Sequence, residues 1–168
     1  MAAGNTYVAL ASNTLSSAAA SVTFSSISGA YTDLVLICNI GASASTSVNF
    51  GFNGDTGTNY STTILTGNGT TAASARTSTA SNSTDYIAFY TAGAPSGLTG
   101  SMIFNVMNYA NTTTNKTILA RSGSDSKEID LVVGLWRSTA AITSIVIGMQ
   151  TGNFITGSTF TLYGIAAA

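Results

Sequence analysis

The chain has no histidine, one cysteine, one proline and one tryptophan in 168 residues, and its charged side chains are five Lys/Arg and six Asp/Glu. Without histidine, no Ser-His-Asp or Cys-His nucleophile system can be assembled, nor any histidine-bearing zinc site. Cys38 has no partner for a disulfide. Its place in Leu34-Val35-Leu36-Ile37-Cys38 marks it as a small buried hydrophobe rather than a reactive thiol. Five scattered cations cannot neutralise a phosphate track, which argues against nucleic acid as a partner. No window approaches 18 continuous apolar residues, so no membrane span or membrane partner is expected. Met1-Ala2-Ala3-Gly4 lacks the basic start of a signal peptide, which predicts synthesis in a cytoplasm. A Gly-x-x-x-x-Gly-Lys-Ser/Thr phosphate loop is missing as well.

What is present is apolar and neutral. Apolar residues make up 45% of the chain, net charge is −1 and mean hydropathy is +0.33, which excludes disorder driven by charge. Ser and Thr supply about 50 positions, so the polar surface is one of hydroxyls and amides. At about 150 residues per domain, residues 1–168 are expected to form one domain, with 1–6 as a short N-terminal arm. A chain of this length buries about 70% of its unfolded surface and needs no staples.

Short β-branched and aromatic runs recur between Gly/Asn/Ser/Thr clusters, the pattern of strands and turns. Val48, Phe50 and Phe52 alternate with Asn49 and Gly51. Ile129, Leu131, Val133 and Leu135 share one face of another strand, and the alternation predicts that this face is buried. Ile145, Ile147 and Met149 line a third, and Phe160 with Leu162 begins the last. Leu34–Ile40 and Met102–Met107 are apolar on both faces in part, as central strands are. Weaker strands are expected at Tyr7–Leu10, Val22–Phe24, Ile87–Tyr90 and Thr117–Arg121. Nine or ten such strands, with no helical periodicity for a crossover, predict an all-β fold: an antiparallel β-sandwich, jelly-roll-like. Thr14–Ala20 has room for one helical turn. The Gly/Ser/Thr-rich stretch 53–85 is expected to be a long loop region, with Ile64-Leu65 its paired segment. Pro95 falls in the loop Ala92–Gly100.

Candidate site residues are few. Asn53-Gly54-Asp55-Thr56-Gly57-Thr58-Asn59 spaces oxygen side chains around glycines, loosely like a calcium loop. It lacks the bidentate glutamate of such a loop, and an Asn/Gly turn accounts for the residues equally well. No metal site is expected. Asp125, Glu128 and Asp130, with Lys127 among them, read as a solvated turn entering the Ile129 strand. Glu128 is the only glutamate and the five aspartates are dispersed, so no carboxylate pair for glycoside hydrolysis is nominated. The expectation is therefore no catalytic residue, no cofactor and no enzyme activity. Five Asn-x-Ser/Thr sequons occur at Asn59, Asn68, Asn82, Asn111 and Asn115, about the number that chance supplies at this composition. Tyr31, Tyr86, Tyr90 and Tyr109 flank apolar runs, where a tyrosine buries its ring and hydrogen-bonds its hydroxyl. Trp136 ends a strand before Arg137-Ser138-Thr139. It either caps the core or faces a partner, and is the one candidate partner-binding residue.

Several blocks in order carry a resemblance. They begin with Tyr7-Val8-Ala9-Leu10, Ala19–Ile27 and Tyr31-Thr32-Asp33-Leu34-Val35-Leu36. Phe52-Asn53-Gly54-Asp55 with Asn59-Tyr60-Ser61 follows, then Tyr109-Ala110-Asn111-Thr112 with Lys116-Thr117. Ala141-Ile142-Thr143-Ser144-Ile145 and Ser158–Ile165 close the set. Together they resemble the β-rich, often jelly-roll virion structural proteins of tailed bacteriophages, including those of cyanophages. The resemblance implies a capsid cement or decoration protein, or a component of a tail appendage, and implies no catalytic residues. A lone domain without a fibre shaft suits decoration: a subunit on the head surface, bound to the major capsid protein. Few lysines guard its edge strands, so closure as a homotrimer is expected, a state the resemblance also favours. The alternative is a tail fibre or receptor-binding head that recognises host surface glycans.

Overall fold

The computed structural model describes residues 6–44, 47–78, 89–90, 99–124 and 129–166. Tyr86, Ile87, Pro95, Asp125, Lys127 and Glu128 lie outside the described residues, as does most of the N-terminal arm. Among the described residues, twelve strands run in chain order: β1 (Tyr7–Thr14), β2 (Ser21–Phe24), β3 (Asp33–Gly41), β4 (Ser47–Phe52), β5 (Tyr60–Gly67), β6 (Ala72–Thr77), β7 (Phe89–Tyr90), β8 (Thr99–Met107), β9 (Lys116–Ser124), β10 (Ile129–Trp136), β11 (Ile145–Met149) and β12 (Thr159–Ile165). They form two sheets, one of eight strands in the order β1-β12-β3-β8-β9-β10-β5-β6 and one of four in the order β2-β11-β4-β7. Every pairing is antiparallel. The all-β sandwich expected from the alternation is therefore the observed fold, with more strands than the nine or ten counted from sequence and an uneven division between sheets.

The core lies between the sheets. Val48, Phe50 and Phe52 of β4 point into it and are fully buried. Phe50 stacks on Phe104 of β8 in the opposite sheet, with ring centroids 4.6 Å apart and planes inclined by 13°. Ile145 and Ile147 of β11 and Leu34, Leu36 and Cys38 of β3 fill the space around that contact. Along β12 the inward positions are Phe160, Leu162 and Gly164. At Gly164 a Cβ would come within 2.7 Å of the Tyr31 ring, so only glycine lets that ring lie against the backbone.

Three expectations are corrected. The stretch 53–85 is not one long loop: β5 and β6 form an antiparallel hairpin within it, from Thr62 opposite Thr77 to Gly67 opposite Ala72. Threonine is β-branched and favours strands, so the hydroxyls that suggest a loop in the sequence decorate an exposed ribbon. Tyr60 and Ile64 anchor β5 to the core, whereas β6 is exposed throughout and forms the edge. The helical turn allowed at Thr14–Ala20 is absent. Thr14 ends β1, and the segment after it is held by Leu15 N–H donating to Ser158 and by a bridge between Ala19 and Phe154.

The third correction concerns β10. Ile129, Leu131, Val133 and Leu135 do share a face, but it is the outer one, with Ile129 64% and Leu131 51% exposed. The inward set is Asp130, Val132, Gly134 and Trp136. A strand exchanges its faces with a one-residue shift, and the more apolar face here is turned to solvent.

Phe50→Ala should lower unfolding free energy by about 3–5 kcal/mol, the range for deleting a buried aromatic side chain. A double-mutant cycle with Phe104 should add a coupling of about 0.5–1.5 kcal/mol, measured by urea denaturation, for the stacked rings.

Candidate functional site

The turn after β4 is the most heavily tied polar feature among the described residues. Asn53 and Gly54 both take positive φ, 53° and 67°, a conformation asparagine and glycine tolerate. The Asn53 side chain reaches across to the loop before β11. Its Nδ2 donates to the Ala141 carbonyl at 2.8 Å, and its Oδ1 accepts from the Thr143 and Ser144 N–H groups at 2.8 and 3.1 Å. Asp55 closes the turn on itself: Oδ1 accepts from Gly57 N–H at 2.8 Å, and Oδ2 from Asn59 Nδ2 at 2.9 Å. The same Oδ2 accepts from Trp136 Nε1 at 2.6 Å.

That hydrogen bond decides the place of Trp136. The indole is 2% exposed, stacked on Tyr60 at 6.3 Å and tilted against Phe52 at 5.4 Å. It caps the core and presents no surface to a partner. The next residue completes the clamp. The Arg137 guanidinium donates to the Thr58 carbonyl at 2.6 Å and to the Tyr60 carbonyl at 3.3 Å. Both Asp55 oxygens and Asn53 Oδ1 are thus turned to N–H donors, an arrangement for holding a turn and not for ligating a cation. Partial burial pulls the Asp55 carboxyl up. Its hydrogen bonds from Trp136, Asn59 and Gly57 outweigh that effect and hold it below the ordinary carboxylate value.

Asp130, expected in a solvated turn, is an inward residue of β10 and 2% exposed. Its carboxylate accepts from Thr66 Oγ1 at 2.6 Å and from Ser122 Oγ at 3.5 Å, the residues directly opposite it on β5 and β9. Lys116 is fully buried, a place no composition rule gives a lysine, although its alternation with Ile118 and Ala120 points it inward. Its Nζ donates to the Thr114 carbonyl at 2.8 Å and the Thr139 carbonyl at 3.2 Å, tying two loops together, and burial pushes its pKa down. Burial likewise pushes the Cys38 thiol far up, which leaves it unreactive. Tyr109 buries its ring as expected and its hydroxyl donates to the Ser28 carbonyl. Asn68 and Asn111, both in sequons, are turn builders: each Oδ1 accepts from the N–H groups two and three residues on.

No constellation of nucleophile and base is assembled by these groups. Among the described residues no group of three or more Cys/Asp/Glu side chains could hold a metal ion. Among the described residues, the outer face of the large sheet carries exposed aliphatic side chains. Leu65, Leu119, Ile129, Leu131 and Val133 are each about half exposed there, and strand register makes them neighbours.

No protein-family model matches the chain, and no curated protein matches it. Among solved structures, an exo-inulinase from Aspergillus awamori aligns at a TM-score of 0.31 with 11% identity, over 95% of this chain and 29% of that one. The chain thus spans less than a third of that enzyme, and a likeness of this size carries no argument about either fold or function.

Asp55→Ala should strand the buried Trp136 N–H and cost about 1–3 kcal/mol, with a shift in the emission of the single tryptophan. In the unmodified chain the Asp55 contribution should be fully present above its unfolded pKa of about 3.9 and be lost as pH falls through the lower folded value. Acid titration followed by tryptophan emission checks this. Melting curves with EDTA and with added calcium should superpose, because the Asn53 side-chain oxygen and both Asp55 oxygens already accept hydrogen bonds within the protein.

Proposed function

We propose that the chain is a structural subunit of a tailed-bacteriophage virion: a capsid cement or decoration protein that binds the major capsid protein lattice and stabilises the head. The observation that carries this reading is the ordered set of sequence blocks from Tyr7-Val8-Ala9-Leu10 to Ser158–Ile165 that resembles such proteins. The chemistry of the surface supports it. A chain with five cations and six anions has little charge repulsion to overcome on assembly, and its hydroxyls and amides suit broad, wet contacts. Many copies on a lattice turn weak single contacts into avidity. In this reading the protein is made in the host cytoplasm, sits on the head surface as a homotrimer, and performs no catalysis. It binds neither nucleic acid nor membrane and needs no cofactor.

A second reading, a tail fibre or receptor-binding head that recognises host glycans, draws on one observation. Tyr7 is exposed on the edge strand and stands edge-on to Tyr163 with centroids 6.0 Å apart, a small aromatic platform of the kind on which sugar rings stack. Particles lacking the protein separate the two. Loss of DNA on heating or osmotic shock, with adsorption to cells retained, is the outcome expected for cement. Intact particles that no longer adsorb would establish the receptor-binding role instead.

A further inference from the structure

Two Asn-Gly steps occur in the sequence, Asn53-Gly54 between β4 and β5 and Asn68-Gly69 between β5 and β6. An asparagine followed by glycine carries its own reaction. The glycine nitrogen can attack the side-chain carbonyl carbon Cγ, and glycine has no side chain to shield that nitrogen. In a folded chain the attack requires that the carboxamide can swing onto the backbone. Asn53 is tied to a distant segment at both ends of its carboxamide. Its Nδ2 donates to the Ala141 carbonyl at 2.8 Å, and its Oδ1 accepts from the Thr143 and Ser144 N–H groups at 2.8 and 3.1 Å. Its main-chain N–H donates to the Ser144 carbonyl at 3.1 Å as well. Asn68 is tied only to its own turn. Its Oδ1 accepts from Thr70 N–H at 3.0 Å and from the N–H and hydroxyl of Thr71 at 2.8 and 3.2 Å. Its Nδ2 donates to no group among the described residues. Residues 68–71 are all exposed, and they close the hairpin beyond the Gly67 and Ala72 pair.

We infer that Asn68 is a site of spontaneous covalent modification, deamidating through a cyclic imide, and that Asn53 is protected from it. The Gly69 nitrogen gives up its proton and bonds to Asn68 Cγ. The Cγ–Nδ2 bond breaks, and Nδ2 leaves as ammonia with that proton. Water then opens the five-membered ring at one carbonyl or the other, leaving aspartate or isoaspartate, and nothing is oxidised or reduced. The turn assists the first bond, because charge developing on Oδ1 is met by the Thr70 and Thr71 N–H groups already aimed at it. Asn53 Oδ1 has two such donors too, so tethering separates the sites and polarisation does not. To reach Gly54, the Asn53 carboxamide has to let go of the 141–144 segment, whereas all the side-chain hydrogen bonds of Asn68 move with the turn that carries it. Aspartate at position 68 keeps an acceptor for Thr70 and Thr71 and adds one negative charge to a chain whose net charge is −1. Isoaspartate lengthens the main chain by one carbon next to β6, the outermost strand of the described large sheet. This inference goes beyond the virion reading and does not depend on it, since it concerns the isolated chain.

Incubation of the purified full chain in mildly alkaline buffer, followed by peptide mapping with mass spectrometry, tests it. Deamidation at Asn68 should outrun that at Asn53 by about tenfold or more, since several hydrogen bonds of ordinary strength have to open first at Asn53. An acidic band should grow at the Asn68 rate on isoelectric focusing. In concentrated urea the two sites should react at similar rates, because only their shared Asn-Gly chemistry then remains. Asn68→Gln, whose extra methylene disfavours ring closure, should remove most of the acidic band. The peptide map of the unmodified chain decides the matter by itself if that variant misfolds. Equal rates at the two sites in the folded chain would overturn the inference, as would an Asn68 that stays intact while the urea-unfolded chain is fully converted. Failure here leaves the particle-stability experiment untouched, and failure there leaves this one untouched.

Discussion

The stack of Phe50 on Phe104 joins the two sheets, and the remaining packing follows from it. Once β4 turns its phenylalanines inward, alternation fixes the side of every residue on that strand. Pairing with β11 then carries the same order across the small sheet, where Ile145 lies opposite Phe52 and Ile147 opposite Phe50. On the other side, Phe104 fixes β8, and through it β3 and β9, whose inward sets are Leu34, Leu36 and Cys38 and Lys116, Ile118 and Ala120. The constraint is geometric before it is energetic, because a slip of one residue in β4 would put Asn49 and Gly51 where Phe50 and Phe52 fill the core.

A chain so poor in charge closes several of its turns with neutral groups. Asn53, Asn68 and Asn111 each spend a side-chain oxygen on backbone N–H groups, and the Tyr60 and Tyr109 hydroxyls serve main-chain partners in the same way. Buried charges follow one rule: Asp130 meets hydroxyls on both neighbouring strands, and Lys116 meets two carbonyls. No buried side-chain nitrogen or oxygen among the described residues is left without a partner. The turn bonds between neutral groups lose less to salt than ion pairs do, since no net charge is there to screen.

Much of this was legible in the sequence and some of it was not, for identifiable reasons. Val48, Phe50 and Phe52 alternate with small or polar residues, so their facing could be read directly. In β10 the period was equally clear but its sign was not, because Ile129, Leu131 and Val133 are more apolar than the inward Asp130 and Gly134. A rule that buries the greasier face fails where the outer face is itself apolar. The β5–β6 hairpin escaped for a different reason: exposed on much of its surface, it carries only Tyr60 and Ile64 as core anchors, too few for a periodic signal. The sequence around Trp136 fits core and surface equally, and what decides its place is a hydrogen bond to the Asp55 carboxylate, far away in sequence. No local pattern could have named that partner.

The position of β12 has a consequence for biosynthesis. It lies between β1 and β3, with Tyr7 opposite Ile165 on one side and Asp33 opposite the same residue on the other. While a ribosome is still making the segment before Thr159, β1 has no place in the sheet and β3 presents an open edge. The large sheet can close only after Ile165 has left the exit tunnel, whatever forms earlier. Pairings that join sequence-distant strands are slow, on the order of milliseconds to seconds in small β proteins. During that interval β3 offers a bare strand edge, a template on which another chain can pair.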